Sequence, residues 1–526
     1  MGHRCTQIIS DLRFQSLSLS VCIRAPSVAE NALVFVFVVV AAVLTLPTWG
    51  DEMITIDLSK RYQTIDNFAA SDAWTMKILA HWSPESREKL ADLLFDREKG
   101  IGLSQWRLNI GGGHQTERVK DPLRTTESFE VSPGQYDWSR MKMERWMLAS
   151  AKKRGVESFL AFSYSPPPRM TLNGMINPDP GPATINLKPG MERDYAVYLA
   201  DVVEHFARDA SADPHVEFEG LSPLNEPQWE WNKANQEATR AANADLKRVY
   251  VALAEELKRR GLRTTVHGVE SGNIPEMYQP HADFTKKYGT LFGDYLDDFG
   301  PDPTMQSALG NLISYHSYWS DNDDQMIAHR EALRRKLDRY PAWRVWQTEY
   351  CIMKHKRDLT MESALHVARV IHDDLTIVNA SAWGWWLALS LGDYKDGLLF
   401  TDWRKPGDAE SIIPTKIFWA LGNYSRFVRP RMVRVGVDAP ADKDLLISAY
   451  LDPKTGHHVA VICINASNDA RSVNVTWAAD AKPPQSDWRR YVTSDDATSD
   501  PLAPVRSKPG ETVTFPARSV TTLVME

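Results

Sequence analysis

Between about residue 66 and residue 428 the chain alternates eight short β-branched or aromatic runs with longer amphipathic stretches, and this alternation limits its fold more than any other feature of its 526 residues. The runs lie near 64–70, 102–110, 157–163, 217–224, 263–269, 312–316, 344–348 and 380–385. Helical spacing of apolar residues fills the intervals, as at 84–96, 138–154, 193–210, 241–260 and 361–378, with Ser83 placed to cap the first of these helices and Pro84 at its first position. Eight βα units predict an α/β fold, a closed (β/α)8 TIM barrel, whose chemistry gathers at the C-terminal ends of the strands. After Arg429-Pro430 the texture changes to short strands joined by Asp, Asn, Gly and Pro turns, at 445–451, 458–464, 472–477 and 513–515, which predicts a β-sandwich. The early run 53–58 is expected to pair with it. The domain plan is therefore a leader at 1–50, a sandwich strand at 51–65, the barrel at 66–428 and the β-sandwich domain at 429–526.

Residues 32–46 form an apolar run broken only by Thr45, too short for a comfortable membrane span and of the length of a signal-peptide core. Cleavage before Asp51 and a secreted, periplasmic or cell-surface location are the expectation; a membrane enters only if the segment stays as an anchor. Loss of the leader removes Cys5 and Cys22 and leaves Cys351 and Cys463, too few for a disulfide framework or a cysteine metal site. The net charge of −7 and the absence of a long Lys/Arg run argue against a nucleic-acid partner.

Two glutamates stand out from the 68 acidic residues by their settings. Glu226, in Leu221-Ser-Pro-Leu-Asn-Glu-Pro-Gln-Trp-Glu-Trp231, follows the fourth predicted strand between an amide and a proline. Glu349, in Trp343-Arg-Val-Trp-Gln-Thr-Glu-Tyr350, follows the seventh. Strands four and seven face each other across a barrel mouth, so the pair can flank one bond. Two carboxyl groups in different environments are what glycoside hydrolysis needs, one to protonate the leaving oxygen and one, ionised, at the anomeric carbon. That chemistry requires no metal and no organic cofactor.

The same segments resemble glycoside hydrolase family 30. The shared set comprises Asn225-Glu-Pro227, the Glu349 segment, Ala70-Ser-Asp-Ala-Trp74, Arg107-Leu-Asn-Ile-Gly-Gly-Gly113, Ser165-Pro-Pro-Pro168, His316-Ser-Tyr318 and Trp386-Leu-Ala-Leu389. The resemblance implies a retaining enzyme with a (β/α)8 barrel and a side β-sandwich, with Glu226 as acid/base and Glu349 as nucleophile. In that scheme Asn225 meets the sugar 2-hydroxyl, Arg107 keeps Glu349 ionised, Tyr318 orients it, and His316 supports the floor of the site. Asp72, Trp74, Tyr164, Trp229 and Trp386 are expected to line the sugar subsites. The three glycines at 111–113 lack the context of a phosphate loop and are assigned to a tight turn at the mouth.

Two departures bear on substrate. Asn67 stands where the family usually has glycine, and Arg169 replaces the aromatic that often follows Ser-Pro-Pro, a change suited to an acidic sugar. Other features resemble the branch containing endo-β-1,6-galactanases, with a β-1,6-glucanase, a xylanase or glucuronoxylanase and a glucosylceramidase-like exo-enzyme as alternatives. A non-catalytic carbohydrate-binding protein is the alternative of another class. The expected partner is a polysaccharide or oligosaccharide, and the expected state a monomer.

Overall fold

The computed structural model describes residues 52–526 except 323, 480, 482, 483, 485 and 497–499, and the leader expected at 1–50 lies outside the described residues. Eight parallel barrel strands run Asn67–Ser71, Gln105–Asn109, Ser158–Phe162, Gly220–Ser222, the pair Thr265–Val266 and Val269–Ser271, Leu312–His316, Arg344–Glu349 and Ala382–Ser390. Each hydrogen-bonds to the next, the eighth pairs with the first through Ala382 and Asn67, and the two pieces of the fifth strand pair with the fourth and the sixth, so the sheet closes. Most strand residues are buried because helices cover the outside and side chains fill the inside, which is why the strands read as apolar runs without alternation.

The fifth strand is broken where the sequence predicts a continuous run to residue 269. The His267 ring sits so close to Gly220 that a Cβ there would lie 2.4 Å from it, and a Cβ on Gly268 would meet the Tyr250 ring at 2.8 Å. Close packing displaces the ladder at 267–268, and the strand resumes to deliver Glu270 to the mouth. The fourth strand is shorter than predicted, and the eighth ends five residues later, at Ser390. Helices Pro84–Phe95, Lys142–Lys153, Glu192–Arg208, Asn243–Arg259, Met326–Leu337 and Met361–Asp373 form the outer ring. Ser83 caps the first by accepting the Ser86 N–H at 3.2 Å, with Pro84 at its first turn.

A second, mixed sheet orders its strands Val505–Ser507, Trp488–Ser494, Ser519–Met525, Val459–Asn465, Leu445–Leu451, Val433–Asp438, Glu52–Thr64, Arg471–Trp477 and Thr512–Phe515. Its N-terminal strand is antiparallel to Val433–Asp438 and parallel to Arg471–Trp477. Ile54, Val473 and Phe515 from one end share a core with Leu445, Val461, Trp488 and Leu523 from the other, so the sheet folds over on itself as a sandwich. Its opposite face, with Tyr450, Ile462 and Val524, joins the barrel's core. Helix Lys416–Ser425 fastens the two, since Asn423 donates to Thr493 Oγ1 at 2.8 Å and accepts from Thr522 at 2.9 Å. Among the described residues no helix is long and apolar enough to cross a membrane.

Candidate active site

The barrel mouth holds a cleft of about 690 Å³ whose lining includes Glu226, Glu349, Asn225, Tyr318, Trp74, Tyr164 and Trp386. Glu226 leaves the fourth strand with φ +47°, in the left-handed region, and its N–H is held by the Glu270 carbonyl at 2.9 Å. Such a conformation costs energy in a residue with a Cβ and is tolerated where the surroundings over-determine it. Glu349 ends the seventh strand without such distortion.

Arg107 links these residues from the second strand. Its Nη1 donates to Glu349 Oε2 at 2.5 Å, and its Nη2 to Asn225 Oδ1 at 2.9 Å and Glu270 Oε2 at 3.1 Å. Its guanidinium lies over the Phe162 ring, 3.6 Å from the centroid. Tyr318 donates to the other oxygen of Glu349 at 2.9 Å. Both Glu349 oxygens therefore accept charge-assisted or phenolic hydrogen bonds, an arrangement suited to a carboxylate.

His316, on the sixth strand, bridges two acids: Nδ1 lies 2.9 Å from Glu226 Oε1 and Nε2 3.0 Å from Glu270 Oε2. Although burial opposes its charge, Glu349, Glu226 and Glu270 together push its pKa up to about 9, so both ring nitrogens carry protons and donate. Burial raises the Glu226 carboxyl above its ordinary range, against the hydrogen bond and charge of His316, which lower it. Glu270 goes the other way: burial is outweighed by Arg107 and His316, with further hydrogen bonds from Ser222 at 2.6 Å and Thr348 at 2.6 Å, and its carboxyl falls far below the usual range. The cluster thus sets two basic side chains, Arg107 and His316, among three carboxyl groups, those of Glu226, Glu270 and Glu349.

Glu226, His316 and Glu349 also present one ligand atom each within 4.8 Å of one another. An imidazolium that donates from both nitrogens is not a metal ligand, so holding an ion there first requires loss of the His316 proton.

The structure brings Glu226, Glu349, Arg107, Asn225, Tyr318 and His316 into one hydrogen-bonded cluster, with Trp74, Tyr164 and Trp386 on the cleft wall. Trp74 stacks on Tyr164 at 5.2 Å and meets the edge of Trp386 at 5.2 Å. Asp72 and Trp229 are placed differently, since neither is among the residues lining the cleft. Asp72 is buried behind the wall and accepts the Asn109 N–H at 3.1 Å; burial and nearby Glu144 push its carboxyl well up. Trp229 packs edge-on beneath Trp319 at 5.3 Å. Arg169 does not face the cleft either, because it forms a two-pronged ion pair with Glu130, with both contacts at 2.7 Å. The glycine turn serves close approach: a Cβ on Gly111 would lie 2.3 Å from the Thr126 carbonyl oxygen. Cys351 is buried beside Tyr318 with its thiol pKa well raised by burial, which suits packing and not nucleophilic attack.

Sequence reasoning missed two buried acids. Glu270 lies in the second piece of the fifth strand, directly after the predicted run to residue 269, so the rule that singled out Glu226 and Glu349, a carboxylate at a strand's C-terminal end, applies to it as it stands. Glu237 lies in the loop after Glu226, accepting from Asn109 at 2.6 Å and from the Trp74 indole at 3.2 Å. No local pattern marks it.

The profile of O-Glycosyl hydrolase family 30 matches residues 51–400. An endo-β-1,6-galactanase of Hypocrea rufa is 27% identical over 245 residues, 41% of this chain and 49% of that relative, so the chain spans about half the length of the relative it matches. A conserved exported protein of Bacteroides fragilis superimposes with a TM-score of 0.80 at 29% identity, over 90% of this chain and all of that one. The catalytic domain of a family 30 xylanase C from Talaromyces cellulolyticus shares the fold, with a TM-score of 0.67 at 19% identity over 90% of this chain and all of that one. With the profile covering most of the chain and a buried pair of carboxyl groups at the barrel mouth, this protein belongs to glycoside hydrolase family 30.

Proposed function

We propose that the enzyme cleaves a β-linked polysaccharide with retention of configuration, by double displacement, and that its substrate is β-1,6-galactan cut internally. The observation that carries the mechanism is the spacing of the two carboxyl groups. Glu226 and Glu349 bring one oxygen of each within 4.8 Å, a close approach that fits the ~5–5.5 Å carboxyl separation of retaining enzymes better than the ~6.5–9.5 Å that leaves room for water in inverting ones. Glu349, held through both oxygens by Arg107 and Tyr318, attacks the anomeric carbon while Glu226 gives its proton to the leaving oxygen. The emerging Glu226 carboxylate rests against protonated His316 until it takes a proton from the water that releases the product. Asn225 spends its carbonyl on Arg107, which leaves its NH2 for the sugar 2-hydroxyl.

The galactan assignment rests on the likeness to the Hypocrea rufa enzyme and on the charge of the cleft. Asp121, Asp393 and Asp396 line it against a single arginine, Arg124, which favours a neutral sugar over a uronic acid. Export through the 32–46 segment fits a polymer met outside the cell.

The test is product release from β-1,6-galactan, β-1,6-glucan, glucuronoxylan and aryl β-glycosides, with the anomeric configuration of the first product read by NMR. Glu349→Gln is expected to lose on the order of 10⁴-fold or more in kcat. Glu226→Gln should lose roughly 10²–10⁴-fold, and less on aryl glycosides whose leaving group needs little protonation. An inverted product, or activity that survives Glu349→Gln, overturns the mechanism; cleavage of another polymer with β-1,6-galactan untouched overturns the substrate.

A further inference from the structure

Trp319 sits at the rim of the cleft 52% exposed, and among the described residues it is the one Trp with so much of its surface in water. Its φ of +51° lies in the left-handed region, which a bulky side chain rarely occupies and which costs energy. The residues on either side are anchored. Tyr318 donates to Glu349 at 2.9 Å, and the Ser320 carbonyl accepts from buried Arg330 at 2.8 Å, so the backbone between them has little freedom and the indole is turned outward.

The ring is also supported from below. Trp229 meets it edge to face at 5.3 Å and 83°, and His281 meets Trp229 in turn at 5.8 Å. Room for Trp229 exists only because residue 272 is glycine, where a Cβ would lie 2.3 Å from the Trp229 indole nitrogen and 3.0 Å from Glu226 Oε1. A bare glycine, a half-buried tryptophan and a strained, exposed tryptophan thus form a column whose top faces the cleft. The column stands on the Glu226 side, since the Trp229 N–H returns to the Glu226 carbonyl at 3.3 Å and Trp231 Nε1 donates to the same oxygen at 2.8 Å.

We infer that Trp319 is the stacking platform for the leaving-group sugar, a pyranose whose apolar C–H face lies on the exposed indole while Glu226 protonates the oxygen it carries. This rests on the assignment of Glu226 as the acid, because the ring beside the proton donor is the one that departs. Burying a large, immobile aromatic face against the sugar adds contact at low entropic cost, since the indole is already held in place. The platform makes the enzyme prefer a chain that continues past the scissile bond, and the same surface receives an acceptor sugar when the glycosyl-enzyme is intercepted by sugar in place of water.

The experiment compares wild type, Trp319→Ala and Trp319→Phe on the polymer of the panel that wild type cleaves and on the glycosyl fluoride of the same glycone, whose leaving group has no ring. Trp319→Ala should lower kcat/KM on the polymer about tenfold, mostly through KM, while fluoride hydrolysis stays within about twofold of wild type. Trp319→Phe should recover most of the loss, and the ratio of transglycosylation to hydrolysis with added acceptor sugar should fall in Trp319→Ala. Equal losses on polymer and fluoride, or no loss on the polymer, overturn the assignment. Wild-type silence on β-1,6-galactan with activity on another polymer overturns the galactan substrate alone, and Trp319 is then judged on that other polymer; silence on every polymer overturns both.

Discussion

Arg107 and Arg330 are both buried arginines paired with carboxylates, and both are reached from the sixth barrel strand, yet they serve opposite ends. Tyr315 and His316 are neighbours on that strand and so point to opposite faces of the sheet. Tyr315 turns outward to Asp374 at 2.9 Å, and His316 turns inward to Glu226 and Glu270. Outside the barrel Asp374 accepts four bonds, from Arg330 at 2.8 Å, Tyr315, Ser317 at 3.0 Å and the Trp383 indole at 3.0 Å. One cation meets one saturated anion there, away from the cleft. Inside, two cations are shared among three carboxyl groups, and Glu226 receives a single side-chain hydrogen bond, from His316. The difference shows how a fold separates a structural ion pair from a reactive one: by how completely the acid is satisfied and whether it reaches a cleft.

The largest expected effect tests that distinction directly. Arg107→Met takes the arginine from Glu349 and Glu270, Arg330→Met takes it from Asp374, and each should cost about 3–5 kcal/mol of stability. Only Arg107→Met should also lower kcat/KM, by roughly 10²-fold or more, since it frees the position of Glu349, whereas folded Arg330→Met should keep kcat within about threefold of wild type. Urea unfolding alongside kinetics decides it, and an equal loss of kcat in the two variants breaks the comparison.

His316 gives an intermediate effect with a sign that follows from its pKa. Raised to about 9 from its free value of 6.5, it stabilises the fold fully below pH 6.5, and that contribution is lost as the pH climbs toward 9. Wild-type melting temperature should therefore decline across this window, and His316→Gln should be flatter there. Because His316 lowers the pKa of Glu226, removing its charge should also move the alkaline limb of kcat/KM to higher pH while lowering its height. A limb that moves to lower pH would contradict the assigned acid.

The smallest effect concerns a charge outside both clusters. Arg169→Ala breaks the ion pair with Glu130 and should cost about 1–3 kcal/mol of stability with no change in kcat/KM on a neutral polymer. A changed KM would return Arg169 to the substrate.

How far the site could be read in advance depended on whether its residues carry local signals. Glu226 and Glu349 stand at strand ends among Asn, Pro, Trp and Tyr, and the parallel barrel gathers strand ends at one face, so both were visible with Arg107 and Tyr318 beside them. Asp72 and Trp229 sit in the same kinds of motif, yet packing turned one behind the wall and the other beneath Trp319. Trp319 itself follows the shared His316-Ser-Tyr318 motif, and only its exposure and backbone angle distinguish it. The sandwich was seen in outline, while its strands at Val433–Asp438, Trp488–Ser494, Val505–Ser507 and Ser519–Met525 were not predicted. Their burial depends on which residues lie across the sheet.

Sequence alone determined the repeat of βα units, the closed barrel that such a repeat requires, and the two glutamates carried to its mouth, because periodicity and strand ends are local properties. Tertiary structure decided the surroundings of each acid. Glu226, Glu270 and Glu349 are three glutamates at three strand ends, and they differ through long-range distances to Arg107 and His316 and through the depth at which each is buried. Desolvation and charge act through space, so residues far apart in the chain set the chemistry of each carboxyl group.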